Sequence, residues 1–99
     1  LDPDRQQVRA LFAAWRVHLG TDNKYTLAEV VERAFAFEDH SLRDALMDIG
    51  RRGGELNRRV LGKWLARHDR RIEQKLELSR AGERSGVALW KLSDCTARG

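Results

Sequence analysis

The chain has 99 residues, of which 41% are hydrophobic and 34% are charged. This length and composition allow one modest core and exclude both a disordered chain and a catalytic domain of usual size joined to a second module. No apolar run approaches the roughly 20 residues that cross a bilayer, and no signal-peptide pattern is present, so we expect a cytoplasmic protein without a membrane partner. The single cysteine, Cys95, excludes a disulfide framework and a thiolate metal site.

Positive charge is concentrated in the second half of the chain. Residues 1–50 contain six basic and nine acidic residues, a net charge of −3, whereas residues 51–99 contain thirteen and six, a net charge of +7. A one-sided basic field is expected of a protein that binds a phosphate backbone, although an acidic protein surface or anionic lipid would also be attracted.

The first helix is predicted from its start signal and its apolar spacing. Asp2 is a plausible N-cap, and Pro3 behind it is well tolerated in the first helical position. Apolar residues then recur at intervals of three and four until Gly20 supplies a stop, which predicts a helix over residues 4–19. The core-facing residues of this helix are Val8, Leu11, Phe12, Trp15 and Leu19.

Two shorter helices are predicted next. Thr26 and Glu29 form a capping box for a helix over residues 27–35. Ser41 caps a third helix, which closes at Gly50. The predicted core faces are Leu27, Val30, Val31, Ala34 and Phe35 in the second helix and Leu42, Ala45, Leu46 and Ile49 in the third.

A fourth helix is predicted over residues 58–68, with Asn57 as its N-cap. Gly62 lies in the middle of this helix at a cost of roughly 1 kcal/mol relative to alanine, which suggests that another backbone packs closely there. The core-facing residues are Leu61, Trp64, Leu65 and His68.

Beyond the fourth helix, the apolar period changes from 3.6 to 2, which is typical of strands. Strands are predicted over residues 75–80 and 87–92, joined by a six-residue loop, 81–86, that contains two glycines. A two-stranded hairpin is only marginally stable alone, so it must dock on the helices. The apolar side chains available for docking are Leu76, Leu78, Trp90 and Leu92.

The order of helix, turn, basic helix and β-hairpin is that of a winged helix-turn-helix. We therefore expect a mainly α protein with a small β-hairpin (α+β) and a single domain over residues 1–99. Residues 1–40 would form a helical lead-in, 41–92 the helix-turn-helix and its wing, and 93–99 a tail.

Basic residues on the fourth helix are the first candidates for a nucleic-acid site. Arg59, Lys63 and Arg67, followed by Arg70, are spaced at three to four and avoid the apolar stripe. A helix of this size fits the major groove, where Arg and Lys reach guanine edges or phosphates. Arg58 adds positive charge to a helix N-terminus that already suits phosphate. Alternatively, the stripe is only a solvated face.

The tip of the hairpin, the wing tip, supplies two further candidates, Arg80 and Arg84, which could lie along a backbone or enter a minor groove. An ordinary hairpin loop would look similar, and Glu83 weighs against tight phosphate contact. The three tryptophans could stack on bases, but each occupies a core-facing position, which favours packing over stacking: Trp15, Trp64 and Trp90.

Signals for catalysis are missing from the sequence. His18, His40 and His68 fall on different elements, and no His, Cys and carboxylate spacing suits a metal. Gly62 and Lys63 lack the neighbours of a phosphate-binding loop, and no serine has the flanks of a nucleophile elbow. We therefore expect no enzyme activity, no cofactor, no metal and no small-molecule substrate.

The segments GELNRRVLGKWLARH (54–68) and RAGERSGVALW (80–90) resemble the C-terminal segment of primase- and helicase-type replication proteins from phages, prophages and integrative elements. LFAAW (11–15) and TLAEV (26–30) are similar to the helical lead-in of that segment, so the resemblance covers most of the chain. It implies a winged-helix module at the end of a larger ATP-driven protein, helping to place a motor or primase on DNA. It assigns no catalytic residue, and this chain would be a fragment or a stand-alone relative.

Two hypotheses follow. The chain is a DNA-binding winged helix, on duplex or forked DNA, or it is a winged helix that docks onto a helicase or primase core or onto itself without touching nucleic acid. DNA binding predicts a continuous positive face from helix to wing, whereas docking predicts an exposed apolar patch.

Overall fold

Four helices account for half of the described chain, residues 2–95 of a computed structural model. Helix α1 spans Pro3–Leu19, α2 Leu27–Ala36, α3 Ser41–Gly50 and α4 Arg58–Arg67. The predicted helices are confirmed to within one or two residues at each end.

Side-chain caps fix where three of these helices begin. The Asp2 carboxylate accepts hydrogen bonds at the start of α1, and Thr26 forms the capping box with Glu29. The Asn57 side chain accepts from the backbone N–H of Val60, the third residue of α4. The prediction that Ser41 caps α3 is wrong. Ser41 is the first helical residue, and its own N–H donates to Asp39 Oδ1 at 2.9 Å.

The strands form an antiparallel sheet of four members and a separate short hairpin within residues 2–95. In the sheet, β1 is Tyr25–Thr26, β4 Ile72–Glu73, β5 Leu76–Arg84 and β6 Val87–Asp94, and the spatial order is β1-β6-β5-β4. The separate hairpin pairs β2 (Arg51–Arg52) with β3 (Glu55–Leu56). The fold is therefore a compact α+β arrangement with more sheet than the sequence predicts.

The predicted six-residue loop at the hairpin tip is replaced by longer strands. β5 and β6 stay paired up to Arg84 and Val87, leaving a two-residue turn, Ser85–Gly86, with positive φ at both positions, as tight hairpin turns require. The pairing register shifts at an irregularity between Arg80 and Glu83, and the two strands remain paired on both sides of it. β6 also runs two residues beyond its predicted end, while positions 96–99 of the predicted tail lie outside the described residues.

The core lies between the helices and one face of the sheet. Trp15, Trp64 and Trp90 are all buried, which confirms that they pack in the core. Phe35 was predicted to be buried but is 50% exposed, because α2 turns only its Val30, Val31 and Ala34 side fully inward. The residues predicted to dock the hairpin on the helices are all buried: Leu76, Leu78, Trp90 and Leu92.

Polar contacts hold the end of α4 and the strand after it against α1. The ring nitrogens of His68 lie 2.7 Å from the Trp64 carbonyl oxygen and 2.9 Å from Asp4 Oδ1. The buried Glu73 carboxylate accepts from the guanidinium groups of Arg9 and Arg5, at 3.0 and 3.2 Å. The Arg9 hydrogen bond, helped by the charge of Arg5, holds the pKa of Glu73 below its usual range.

The close approach predicted at Gly62 is found at Gly50 instead. A Cβ on Gly62 would meet only Leu27 Cδ2, at an ordinary 3.8 Å, whereas a Cβ on Gly50 would lie 2.9 Å from Leu61 Cγ. The prediction for Gly62 is therefore wrong, and Gly50 is the residue that lets α3 and α4 meet.

Alanine substitutions at these two glycines should have opposite effects on stability. Gly62→Ala should stabilise the protein by up to about 1 kcal/mol, because alanine is the better helix former and has room. Gly50→Ala should destabilise it by about 1–3 kcal/mol, because Leu61 must move within a packed core. Urea unfolding of both variants measures the difference, and a destabilised Gly62→Ala would show that the α4 surface is more crowded than the contacts indicate.

Candidate nucleic-acid interface

The outward face of α4 carries a row of cations, which we call the α4 basic stripe: Arg59, Lys63 and Arg67. With 3.6 residues per turn, residues four apart share one face, and this face is opposite the one that buries Leu61 and Leu65. All three cations are exposed, and within residues 2–95 none makes a hydrogen bond or an ion pair. The stripe is therefore free to meet an anionic partner.

Arg58 and Arg70 lie outside this stripe. Arg58 is exposed in the first turn of α4, beside an apolar depression formed with α2. Arg70 follows the helix in a left-handed backbone conformation (φ 69°), and its N–H donates to the Leu78 carbonyl at 2.7 Å. The prediction that Arg70 continues the helical stripe is wrong, since the helix ends at Arg67 and the chain turns toward β5.

Arg80 lies in strand β5, within the predicted strand, whereas Arg84 also belongs to β5 and not to the predicted loop, which corrects the prediction for Arg84. Each is already paired. Arg80 Nη2 donates to Glu83, and Arg84 Nη1 donates to Glu29 Oε1 at 3.2 Å. The hydrogen bond from the Thr26 backbone and the nearby Arg84 guanidinium hold the pKa of Glu29 below its usual range. The end of the hairpin is thus clamped to α2, with its positive charge compensated.

A cleft of about 550 Å³ separates α4 from the hairpin. Small residues of α4, Gly62 and Ala66, line one side, and Val87, Ala88 and Trp90 line the other. The DNA-binding hypothesis predicts a positive surface that runs without interruption from α4 onto the hairpin. This cleft interrupts that surface.

An exposed apolar depression of about 650 Å³ lies between α2 and the start of α4. Phe35 is the largest side chain that lines it, and Val31 and Leu56 also line it. Glu32 and Arg58 supply one charge of each sign at its edge. This is the type of patch that the docking hypothesis predicts.

A second basic region lies on the outer face of the sheet and includes Lys24, Lys91 and the Ser93 hydroxyl, none of which is predicted from the sequence as a site residue. Strand alternation could have placed Lys91 and Ser93 on the face opposite Trp90 and Leu92. Lys24, from the segment before β1, joins them only because β1 pairs with β6.

The titratable residues of the described chain do not form a metal site. No group of three or more His, Cys, Asp or Glu side chains in residues 2–95 is placed to hold an ion. His18 lies 2.9 Å from Ser41 Oγ and stacks on Phe37, while His68 binds Asp4, so the histidines take part in separate structural contacts.

Comparisons with known proteins do not place the chain in a family: neither a protein-family model, nor a curated protein, nor a solved structure matches it. Within the described part of the chain, no helix is both long enough and apolar enough to cross a bilayer.

Proposed function

We propose that this protein is a winged helix-turn-helix that binds DNA through the α4 basic stripe. The observation that carries the proposal is the stripe itself: three exposed cations, four residues apart, without an intramolecular partner in residues 2–95. Cations left free in this way can pair with phosphates and release counterions, which is the main source of affinity for a nucleic-acid backbone.

The element order supports the winged-helix interpretation. Helices α3 and α4 are joined by the short β2–β3 hairpin and pack against each other, and a long β-hairpin follows α4. In a helix-turn-helix, the second helix enters the major groove with its exposed face, which here is the α4 basic stripe.

The hairpin has a smaller part in this proposal. Arg80 and Arg84 would have to exchange Glu83 and Glu29 for phosphates, so most of the gain from a new contact would be offset by the lost ion pair. We propose that the hairpin mainly supports α4, and that Arg58 adds a phosphate contact at the N-terminus of that helix.

The resemblance of residues 54–68 and 80–90 to replication proteins suggests a setting. We propose that the domain belongs to a primase- or helicase-type protein of a mobile element and helps to place it on duplex or forked DNA. No catalytic role is proposed for any residue of this chain.

A titration of the protein with labelled duplex, single-stranded and forked DNA tests the proposal. With the three stripe contacts and that of Arg58, each contributing a slope of about 0.9, raising the salt from about 50 to about 200 mM should weaken duplex binding about 150-fold. Fluorescence anisotropy measures both affinities. Undetectable binding to every DNA at the lower salt would overturn the proposal.

Protein docking is the second candidate, favoured by the exposed apolar depression around Phe35. A 50%-exposed phenylalanine beside Val31 and Leu56 offers apolar area that a partner could bury. In that case Phe35→Ser, and not neutralisation of the stripe, would abolish association. Sedimentation velocity of the two variants measures self-association directly.

A further inference from the structure

The outer face of the sheet contains a groove of about 480 Å³, which we call the outer-sheet groove. Its floor comes from alternate residues of β5 and β6. Leu78 and Leu92 pair across β5 and β6 and face the core. Because side chains alternate along a strand, their neighbours face outward: Ser79 on β5, and Lys91 and Ser93 on β6. The floor is therefore polar, with a cation at its centre.

Two further cations stand at the sides of the groove. On one side, Lys24 precedes β1, in a segment tied to the sheet by the hydrogen bond from Asp22 N to Leu92 O at 2.7 Å. On the other side, Arg70 is held by its backbone hydrogen bond to Leu78. The sheet thus brings together three cations that are distant in sequence.

The charge of the groove is only partly compensated. Within residues 2–95, the side chains of Lys24, Arg70 and Lys91 make no ion pair. Two carboxylates also line the groove, Asp69 and Glu77, and Asp69 accepts a hydrogen bond from the Arg80 backbone at 2.9 Å. Because Arg80 itself is neutralised by Glu83, three free cations face these two carboxylates.

Ser93 gives the groove an unused hydrogen-bond donor. The residue is only 5% exposed, yet its hydroxyl makes no hydrogen bond within residues 2–95. The hydroxyl is not among the buried side-chain atoms that lack a partner, and Ser93 lines the groove, so it is available to donate to an acceptor atom bound there. A hydroxyl donor surrounded by Lys and Arg is the combination of groups that binds phosphate oxygens.

We propose that the outer-sheet groove binds backbone phosphates of a single nucleic-acid strand, as a second contact surface beside the α4 basic stripe. The inference rests on the proposed function. Arg70, which lines the groove, comes three residues after Arg67, the last residue of α4, so the groove adjoins the C-terminal end of that helix. A groove of about 480 Å³ is small beside a duplex, so we assign a single strand to it. Because no aromatic side chain lines it among the described residues, binding depends on the backbone and not on the bases.

The test is an amide NMR titration of the whole chain with a single-stranded oligonucleotide and, separately, with inorganic phosphate. We expect the amides of Arg70, Lys91 and Ser93 to shift with both ligands. In the double variant Lys24→Gln and Lys91→Gln, these shifts should disappear. The salt slope for the oligonucleotide should also become shallower by about 1.4, at roughly 0.7 per contact on single strands.

Two further variants separate a local effect from a general one. Lys75→Gln removes the same charge from an exposed lysine that does not line the groove, and it should leave the shifts unchanged. Ser93→Ala removes the hydroxyl donor from the groove and should weaken oligonucleotide binding by about tenfold, as for the loss of one hydrogen bond.

If the groove amides shift with inorganic phosphate and not with the oligonucleotide, the groove is a site for small anions, and the proposal that it binds a nucleic-acid strand is wrong. If these amides shift with neither ligand, or if Lys75→Gln abolishes the shifts as the double variant does, the groove is not a binding site. Repeating the titration in the variant that lacks the α4 basic stripe keeps the two proposals apart, since the groove amides should still shift there even if α4 does not bind DNA.

Discussion

Replacing Arg59, Lys63 and Arg67 together with alanine should weaken duplex binding strongly and leave the fold intact. If each cation neutralises one phosphate, the slope of log affinity against log salt should become shallower by about 2.7, at roughly 0.9 per contact. The stability should change little, because all three side chains are exposed and make no hydrogen bond or ion pair within residues 2–95. Anisotropy titrations at several salt concentrations, with circular dichroism of the variant, measure both effects.

A matched control removes the same charge elsewhere. Three exposed cations lie away from α4: Arg16 on α1, Arg33 on α2 and Lys75 in the turn between β4 and β5. Their combined replacement with alanine should change the duplex salt slope by much less than the stripe variant does. Arg84→Ala should change it by at most about one. If the stripe variant stays folded and binds duplex DNA with unchanged affinity and slope, α4 is not the recognition helix and docking through the Phe35 depression becomes the better hypothesis.

Trp64→Ala should destabilise the protein by about 3–5 kcal/mol, the range for removing a large aromatic side chain from a core. The ring is 4% exposed and stacks on His68 with 3.9 Å between ring centroids. A domain of this size has a total stability of only about 5–15 kcal/mol. The melting temperature should therefore fall by roughly 12 °C or more, at about 4 °C per kcal/mol, as measured by thermal circular dichroism.

Two controls define the cause of that loss. Trp64→Phe keeps a ring in place and removes an indole N–H that is buried without a hydrogen-bond partner, so it should cost much less than alanine. Val17→Ala shortens a side chain that is 74% exposed and should have almost no effect. A melting temperature unchanged by Trp64→Ala would mean that the ring is exposed, and that the assigned face of α4, including the stripe, is rotated.

The helices were largely predictable because their signals are local. Asp2, Thr26 and Asn57 cap helices through residues two or three positions away, and the buried faces of α1 and α4 repeat every three or four residues. The hairpin was predictable in kind but not in length, because the irregularity after Arg80 lets the strands stay paired where two glycines suggest a loop.

Some residues of the candidate site could likewise be placed from local sequence, and others could not. The α4 basic stripe follows from spacing on one helix, so the sequence alone could place Arg59, Lys63 and Arg67 together. The pairing of Arg84 with Glu29 joins residues 55 positions apart, and no local pattern predicts it.

By itself, the sequence determined the helices, the buried tryptophans and a row of cations on α4, because each depends on contacts within a turn or two of helix. The tertiary structure decided which charges remain free. Arg80 and Arg84 are neutralised by acidic neighbours, whereas Lys24, Arg70 and Lys91 are brought to one groove without ion pairs in residues 2–95. The physical reason is that charge compensation and concavity depend on distances between elements, which are set when β1 joins β6 and the chain after α4 binds β5.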